Sequence, residues 1–300
     1  MIDRKLEIFR MAAMVGSFTE AAAALGMSQP NVTHQLARLE EELGVRLFLR
    51  DGRTVRLTAA GKELCVQCEE LFAESEKILR AVQCAAAKLS YHCIGGTMTA
   101  GGYLLPGLVA AYMNSHPGHR LGLQIANTRE ISGQLIARKL DLALVEGPFE
   151  PDSFLAEEFC SDELLPVFAP GTCPPEFSLA EYIGRGGRLI LREEGSGTCY
   201  YFDRFLRECG VTPPGVQELL EVNSFDAVKL LVREKIGITV ISHLAVRDEL
   251  ASGVLECGRF AEGRIFRKLN FLHLPGGDLN FAGNFIRFCR RQPVPGIGLP

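Results

Sequence analysis

The chain has 300 residues, of which 47% are hydrophobic and 23% charged, enough to bury the cores of two or three domains. A net charge of −4 argues against unspecific coating of nucleic acid by the whole molecule, and no uninterrupted apolar stretch is long enough to span a bilayer. Met1 to Lys5 lead into no apolar stretch, which speaks against a secretory leader, and ten scattered cysteines read as the reduced thiols of a cytoplasmic protein.

In chain order, residues 1–58 read as short helices followed by one hairpin. Leu6, Phe9, Ala13 and Met14 recur at helical spacing and Gly16 ends that segment. Thr19 is the expected N-cap of the next helix, with Glu20 suited to its positive end, and Gly26 stops it. Ser28 caps a third helix with Pro30 in its first turn, and Val32, Leu36, Leu39 and Leu43 give it one apolar face before Gly44. Leu47–Arg50 and Thr54–Thr58 are strand-like, and Asp51-Gly52 between them is a hairpin turn signal. Residues 59–89 contain no Pro and one early Gly, so they read as one long helix of roughly 45 Å. Leu64, Cys68, Leu71, Ser75, Ile78, Val82, Ala85 and Leu89 alternate by four and three along it. Such a stripe asks either for a partner helix or for packing on its own domain.

From residue 91 the texture becomes alternating strands and helices. Strands are expected at 92–96, 121–125, 142–145, 164–169, 189–191, 238–241 and 269–274, and helices at 102–114, 131–138, 200–209, 225–234 and 279–290. That alternation predicts an α/β domain with largely parallel sheets.

Two short helices separated by Gly26-Met27-Ser28 have helix-turn-helix spacing. The second carries Gln29, Asn31, Thr33, His34, Gln35 and Arg38 opposite its apolar face. Amide side chains can bond two edges of adenine and Arg can bond guanine, so its first turn suits a major groove. Helix N-termini at Thr19 and Ser28 suit phosphate oxygens. Between Arg46 and Lys62, five basic residues face one Asp, a local excess of four charges carried partly on the hairpin by Arg50, Arg53 and Arg56.

In the same stretch, residues 16–22 (Gly-Ser-Phe-Thr-Glu-Ala-Ala), Ser28 to Thr33, Leu39-Glu40, Leu43-Gly44, Leu47-Phe48, Arg50 and residues 57–61 closely resemble the LysR-type transcriptional regulators. The resemblance implies base reading by Gln29, Pro30, Thr33 and His34, and phosphate contacts from Thr19, Arg50 and Arg53. His34 stands where that family more often has Arg or Lys, which leaves base preference there open. The architecture implied is an α+β multidomain chain. It has an N-terminal winged helix-turn-helix (1–58), a linker and dimerisation helix (59–89) and a C-terminal α/β effector domain (91–300) of two subdomains like those of periplasmic binding proteins. Subdomain I takes 91–164 and 268–300, and subdomain II takes 165–267. The partners implied are a palindromic double-stranded operator, a small-molecule effector, a second copy as homodimer or homotetramer, and RNA polymerase. No cofactor, no metal and no membrane are expected.

The resemblance continues through residues 96–99, 103–106, 140–143, 193–198 and 237–240, and implies an effector in the cleft between the subdomains. The residues themselves point the same way. Thr97, Met98 and Thr99 follow a strand and precede a helix, and so do Ser196, Gly197 and Thr198. Hydroxyls and exposed N–H groups at such places bind anions. A small carboxylate or an oxyanion is the expected class, with Asn127, Glu146, Phe149 and Asn223 as wall candidates. Glu146 would repel an anion if it faced inward, which favours an effector that also carries an amine. The alternative role for the hydroxyls is helix capping alone.

Two rival functions are weighed. Cys199 at a helix start and Cys209 at its end would serve a thiol-based redox sensor, although an intact helix holds them about 15 Å apart, too far for a disulfide. The CxxC of Cys65 and Cys68 lacks a second ligand pair, so a structural zinc is not expected. An enzyme is disfavoured, since Gly195-Ser196-Gly197 is not a nucleophile elbow and neither a Walker loop nor HExxH is present.

Overall fold

The computed structural model describes residues 2–51, 54–86, 89–211 and 219–293. They fall into two compact units, residues 1–88 and residues 89–136 with 140–300.

The first unit contains α1 (Arg4–Val15), α2 (Phe18–Ala24), α3 (Gln29–Leu43), β1 (Phe48–Asp51), β2 (Thr54–Leu57) and α4 (Ala59–Ala86). Gly16 and Gly44 take left-handed φ at the ends of α1 and α3, where a side chain would be strained. Ile8, Phe9, Ala21, Val32, Leu36, Leu39, Leu47 and Cys68 form one buried core, packed by Leu64, Cys65 and Phe72 of α4. Cys65 and Cys68 are therefore core thiols. The wing is the antiparallel pair β1–β2. It is tied down by a bond from the Val55 N–H to the Gly16 carbonyl at 2.9 Å. A Cβ on Gly61 would come within 2.2 Å of the Leu47 carbonyl oxygen, so the first turn of α4 can lie against the wing only with glycine there. Farther along α4, Leu71, Ile78, Leu79 and Val82 are exposed.

The second unit runs β3 (Ser90–Thr97), a π-turn over Ala100–Leu104, α5 (Leu105–Ser115), β4 (His119–Ala126), α6 (Thr128–Ile136), β5 (Leu142–Val145), β6 (Leu155–Phe168), β7 (Glu176–Phe177), α7 (Leu179–Gly184), β8 (Leu189–Leu191), α8 (Gly197–Glu208), β9 (Leu219–Glu221), α9 (Phe225–Arg233), β10 (Ile238–Ser242), α10 (His243–Ala251), β11 (Glu256–Cys257), β12 (Arg259–Phe260), β13 (Ile265–His273) and α11 (Leu279–Cys289). One sheet has the path β4-β3-β5-β13-β6-β10-β8-β9, with β11 also on β6. It is mixed, not largely parallel. β3 with β4 and β5 is one parallel block, and β8 with β9 and β10 is another. The long strands β6 and β13 run antiparallel to each other and to the block member each one meets. Two buried clusters result, one under α5 and α11 around Phe159, Phe271 and Phe285, and one under α8 around Phe168, Phe202 and Ile238.

The sequence predicted only the last residues of β6. Its first half, Leu-Ala-Glu-Glu-Phe-Cys-Ser-Asp-Glu, carries too many charges to read as an apolar run. Close approach explains the π-turn before α5, since a Cβ on Gly96 would lie 2.5 Å from the Gly101 Cα.

Candidate functional site

α3 presents its polar side outward. Gln29, Pro30, Asn31, His34 and Arg38 are exposed and Thr33 is half-buried, whereas Val32, Leu36 and Leu39 are buried on the opposite face. Ser28 occupies the N-cap position, and its hydroxyl makes no capping bond. The Gln29 Nε2 donates to the Thr33 Oγ1 at 3.0 Å, which fixes the amide on the helix surface. α2 corrects one expectation: its N-cap is Ser17, whose Oγ accepts from the Glu20 N–H at 3.4 Å. Thr19 is instead an exposed residue of the first turn, because helical backbone begins at Phe18.

Glu40 joins α3 to the wing and was not singled out from sequence. Its carboxylate accepts from the Leu47 N–H at 2.7 Å, the Phe48 N–H at 3.2 Å and the Arg46 Nη1 at 2.9 Å. α3 and the hairpin are thus held by three charge-assisted bonds. Arg50 lies in β1, with its side chain outside the described residues, and Arg53 lies outside them altogether.

In the α/β domain, several expected cleft residues do come together, but around a protein cation. Arg267 of β13 is fully buried. Its Nε donates to the Asp162 Oδ2 at 2.8 Å, its Nη1 to the Thr198 Oγ1 at 3.2 Å and its Nη2 to the Thr99 Oγ1 at 3.0 Å. Asp162 is the cross-strand neighbour of Arg267 in β6 and also accepts from the Ser242 Oγ at 2.9 Å. Glu146 is buried, takes the Thr97 hydroxyl as donor and stands 3.8 Å from the Arg267 Nη1. The Thr99 and Thr198 hydroxyls are therefore engaged by the guanidinium rather than presented to solvent, and Glu146 faces Thr97 and Arg267. Met98 packs into the cluster beneath α9 and α10. The Asn127 Oδ1 caps α6 by accepting from the Glu130 N–H at 2.9 Å, and Asn223 is exposed ahead of α9.

An open cavity of about 570 Å³ lies between α6 and α8. Of the ten expected residues, Phe149 and Ser196 stand in its wall. The α6 side contributes Thr128, Arg129, Ser132 and Gly133, the segment after β5 contributes Glu150 and Phe154, and the α8 side adds Tyr200 and Asp203. Ser196 is the N-cap of α8, its Oγ accepting from the Cys199 N–H at 3.1 Å. The Thr128 Oγ1 and Ser132 Oγ are buried and have no hydrogen-bond partner among the described residues. The start of α8, at Ser196, brings the positive end of the helix to the same space. Thr128 and Ser132 could have been found from their i, i+4 spacing.

Cys199 and Cys209 stand at opposite ends of α8. Burial, reinforced by Asp203, pushes the Cys199 thiol up to about 12, and burial with Glu262 raises Cys209. A reactive thiol needs the opposite shift. Among the described residues no group of three His, Cys, Asp or Glu could hold a metal ion, and no helix is long and apolar enough to cross a membrane.

A three-helix head with a wing and an outward polar helix, followed by an α/β domain with an open cavity, defines a DNA-binding regulator with a sensing domain. Residues 4–62 match the model of the bacterial regulatory helix-turn-helix proteins of the lysR family, and residues 92–293 match the LysR substrate binding domain. The chain belongs to the LysR family of transcriptional regulators. It is 31% identical to the RuBisCO operon transcriptional regulator of Allochromatium vinosum, covering 82% of this chain and 81% of that one. The full-length regulator CbnR, solved with its target DNA, superposes with a TM-score of 0.72 at 20% identity, covering 97% and 99% of the two chains. The regulatory domain of Synechocystis PCC6803 CcmR, solved with 2-PG, gives 0.59 at 21% identity over 68% of this chain and all of that one.

Proposed function

We propose that this chain binds a palindromic operator as a dimer or tetramer, with α3 in the major groove and the wing on the backbone, under control of a small molecule held between α6 and α8. The observation that carries this reading is the outward set of Gln29, His34 and Arg38 on a helix whose other face is buried. CbnR with its target DNA and CcmR with 2-PG lend it support by likeness. The exposed row of Leu71, Ile78 and Val82 on α4 suits a second copy of the chain. The ten free thiols suit the cytoplasm. Phe149, Ser196, Thr128 and Ser132 are the proposed effector contacts, and the network around Arg267 is the proposed support between the two parallel blocks.

A gel-shift titration at several salt concentrations tests the DNA half. Gln29→Ala should weaken operator binding by about 1–3 kcal/mol and relax base preference at one position. Arg53→Ala should weaken binding to all sequences and lower the salt slope by about one. Unchanged binding in both variants overturns the assignment.

A further inference from the structure

The charges around the α6–α8 cavity do not suit a bare anion. Arg129 is the cation on its wall, and it is already paired with Glu194 at 3.1 Å. Glu150 and Asp203 stand on the same wall and neither makes an ion pair among the described residues. The Asp203 carboxylate accepts from the Cys199 thiol at 3.7 Å. A second oxyanion with two negative charges would meet these carboxylates without compensation. Other features of the cavity still favour a carboxylate at one end. The start of α8, at Ser196, turns the positive end of a twelve-residue helix toward it. Thr128, 2% exposed, and Ser132 carry hydroxyls that have no partner among the described residues. Unpaired buried hydroxyls are costly unless a ligand or water bonds them. Phe149, Phe154 and Tyr200 line the space between, where an apolar body or the face of an aromatic ring beside an ammonium would fit.

We infer that the effector is a zwitterion of the amino-acid class. Its carboxylate is held at the start of α8, and its ammonium is held by Glu150 and Asp203. This rests on the reading of the cavity as the effector site, and Gly133 separates the two claims. A Cβ added at Gly133 meets nothing within 4 Å, and Gly133 stands in the cavity wall. Gly133→Leu should therefore fill the cavity without disturbing α6.

The test uses full-length protein in calorimetric and thermal-shift titrations. The ligands are the twenty protein amino acids, the carboxylic acids lacking the amino group, and the amines lacking the carboxylate. The expected result is that at least one amino acid binds, that its deaminated acid binds at least about tenfold more weakly, and that Asp203→Asn with Glu150→Gln removes that difference. Gly133→Leu should abolish binding of every ligand class. A deaminated acid that binds as tightly as its amino acid and is blocked by Gly133→Leu overturns the zwitterion while leaving the site in place. Binding undiminished by Gly133→Leu overturns the site itself, and failure of every amino acid to bind overturns the inference.

Discussion

Arg267 shows how much a single side chain can decide. It is 2% exposed, and Asp162 is its hydrogen-bonded counter-charge at 2.7–2.8 Å, with Glu146 at 3.8 Å. Removing one partner of such a pair leaves the other charge buried and uncompensated. Arg267→Met should therefore destabilise the α/β domain by about 3–5 kcal/mol, and adding Asp162→Asn should recover part of that loss. Calorimetric melting of the two variants checks this, and equal melting temperatures for wild type and Arg267→Met would refute it. The residue was legible in principle. Ile265, Leu269 and Phe271 alternate as inward positions of β13, and Arg267 falls in the same phase, so an arginine had to face the core. The Thr99 and Thr198 hydroxyls, expected to face an anion, meet a cation that comes from a strand some 70 residues beyond Thr198 and 170 beyond Thr99, a pairing that no local pattern reveals. Gln29 carries a second residue-scale consequence. One amide hydrogen is committed to Thr33, which leaves one donor and the carbonyl oxygen for a base edge, the pattern that matches adenine rather than guanine.

At the scale of elements, the helix ends at Gly16, Ser28 and Gly44 were readable and long-range strand pairing was not. Gly16, Gly44 and Ser28 mark helix ends as expected, whereas the long antiparallel pair β6–β13 has no local signature. α7 is held by a different device. Glu262, from the turn after β12, accepts from the Leu179 and Ala180 N–H groups, each at 3.0 Å, and from the Ser178 hydroxyl at 2.8 Å. Burial opposes ionisation of Glu262, but these donors outweigh it and hold the carboxyl below its ordinary value. A carboxyl depressed by folding adds stability above its unfolded pKa and loses it as pH falls through the folded one. Glu262→Gln should therefore melt below wild type at neutral pH, with the gap narrowing on acidification below about pH 4.3. A gap that stays constant between pH 7 and pH 3.5 would contradict the account.

For the whole molecule, the consequential element is α4. Its first half is part of the head, with Cys68 buried and Leu64 and Phe72 packed on the core, while Ile78, Leu79 and Val82 farther along are exposed. The near-heptad reading thus divides into an inner stretch that packs on its own domain and an outer stretch that suits another copy. Ile78→Glu with Val82→Glu should lower the sedimentation mass of the full chain and weaken operator binding, because two half-sites are then no longer bound together. An unchanged mass would place the interface elsewhere. The shared helix also limits how the head can be moved. A fragment ending at residue 62, where the helix-turn-helix match stops, omits Leu64, Cys68 and Phe72 and should unfold readily, whereas one ending near residue 75 should show a cooperative melt. Anyone grafting this reader onto another sensor must therefore carry between three and four further turns of α4 with it, since the seam that suits the cut in sequence runs through the middle of a hydrophobic core.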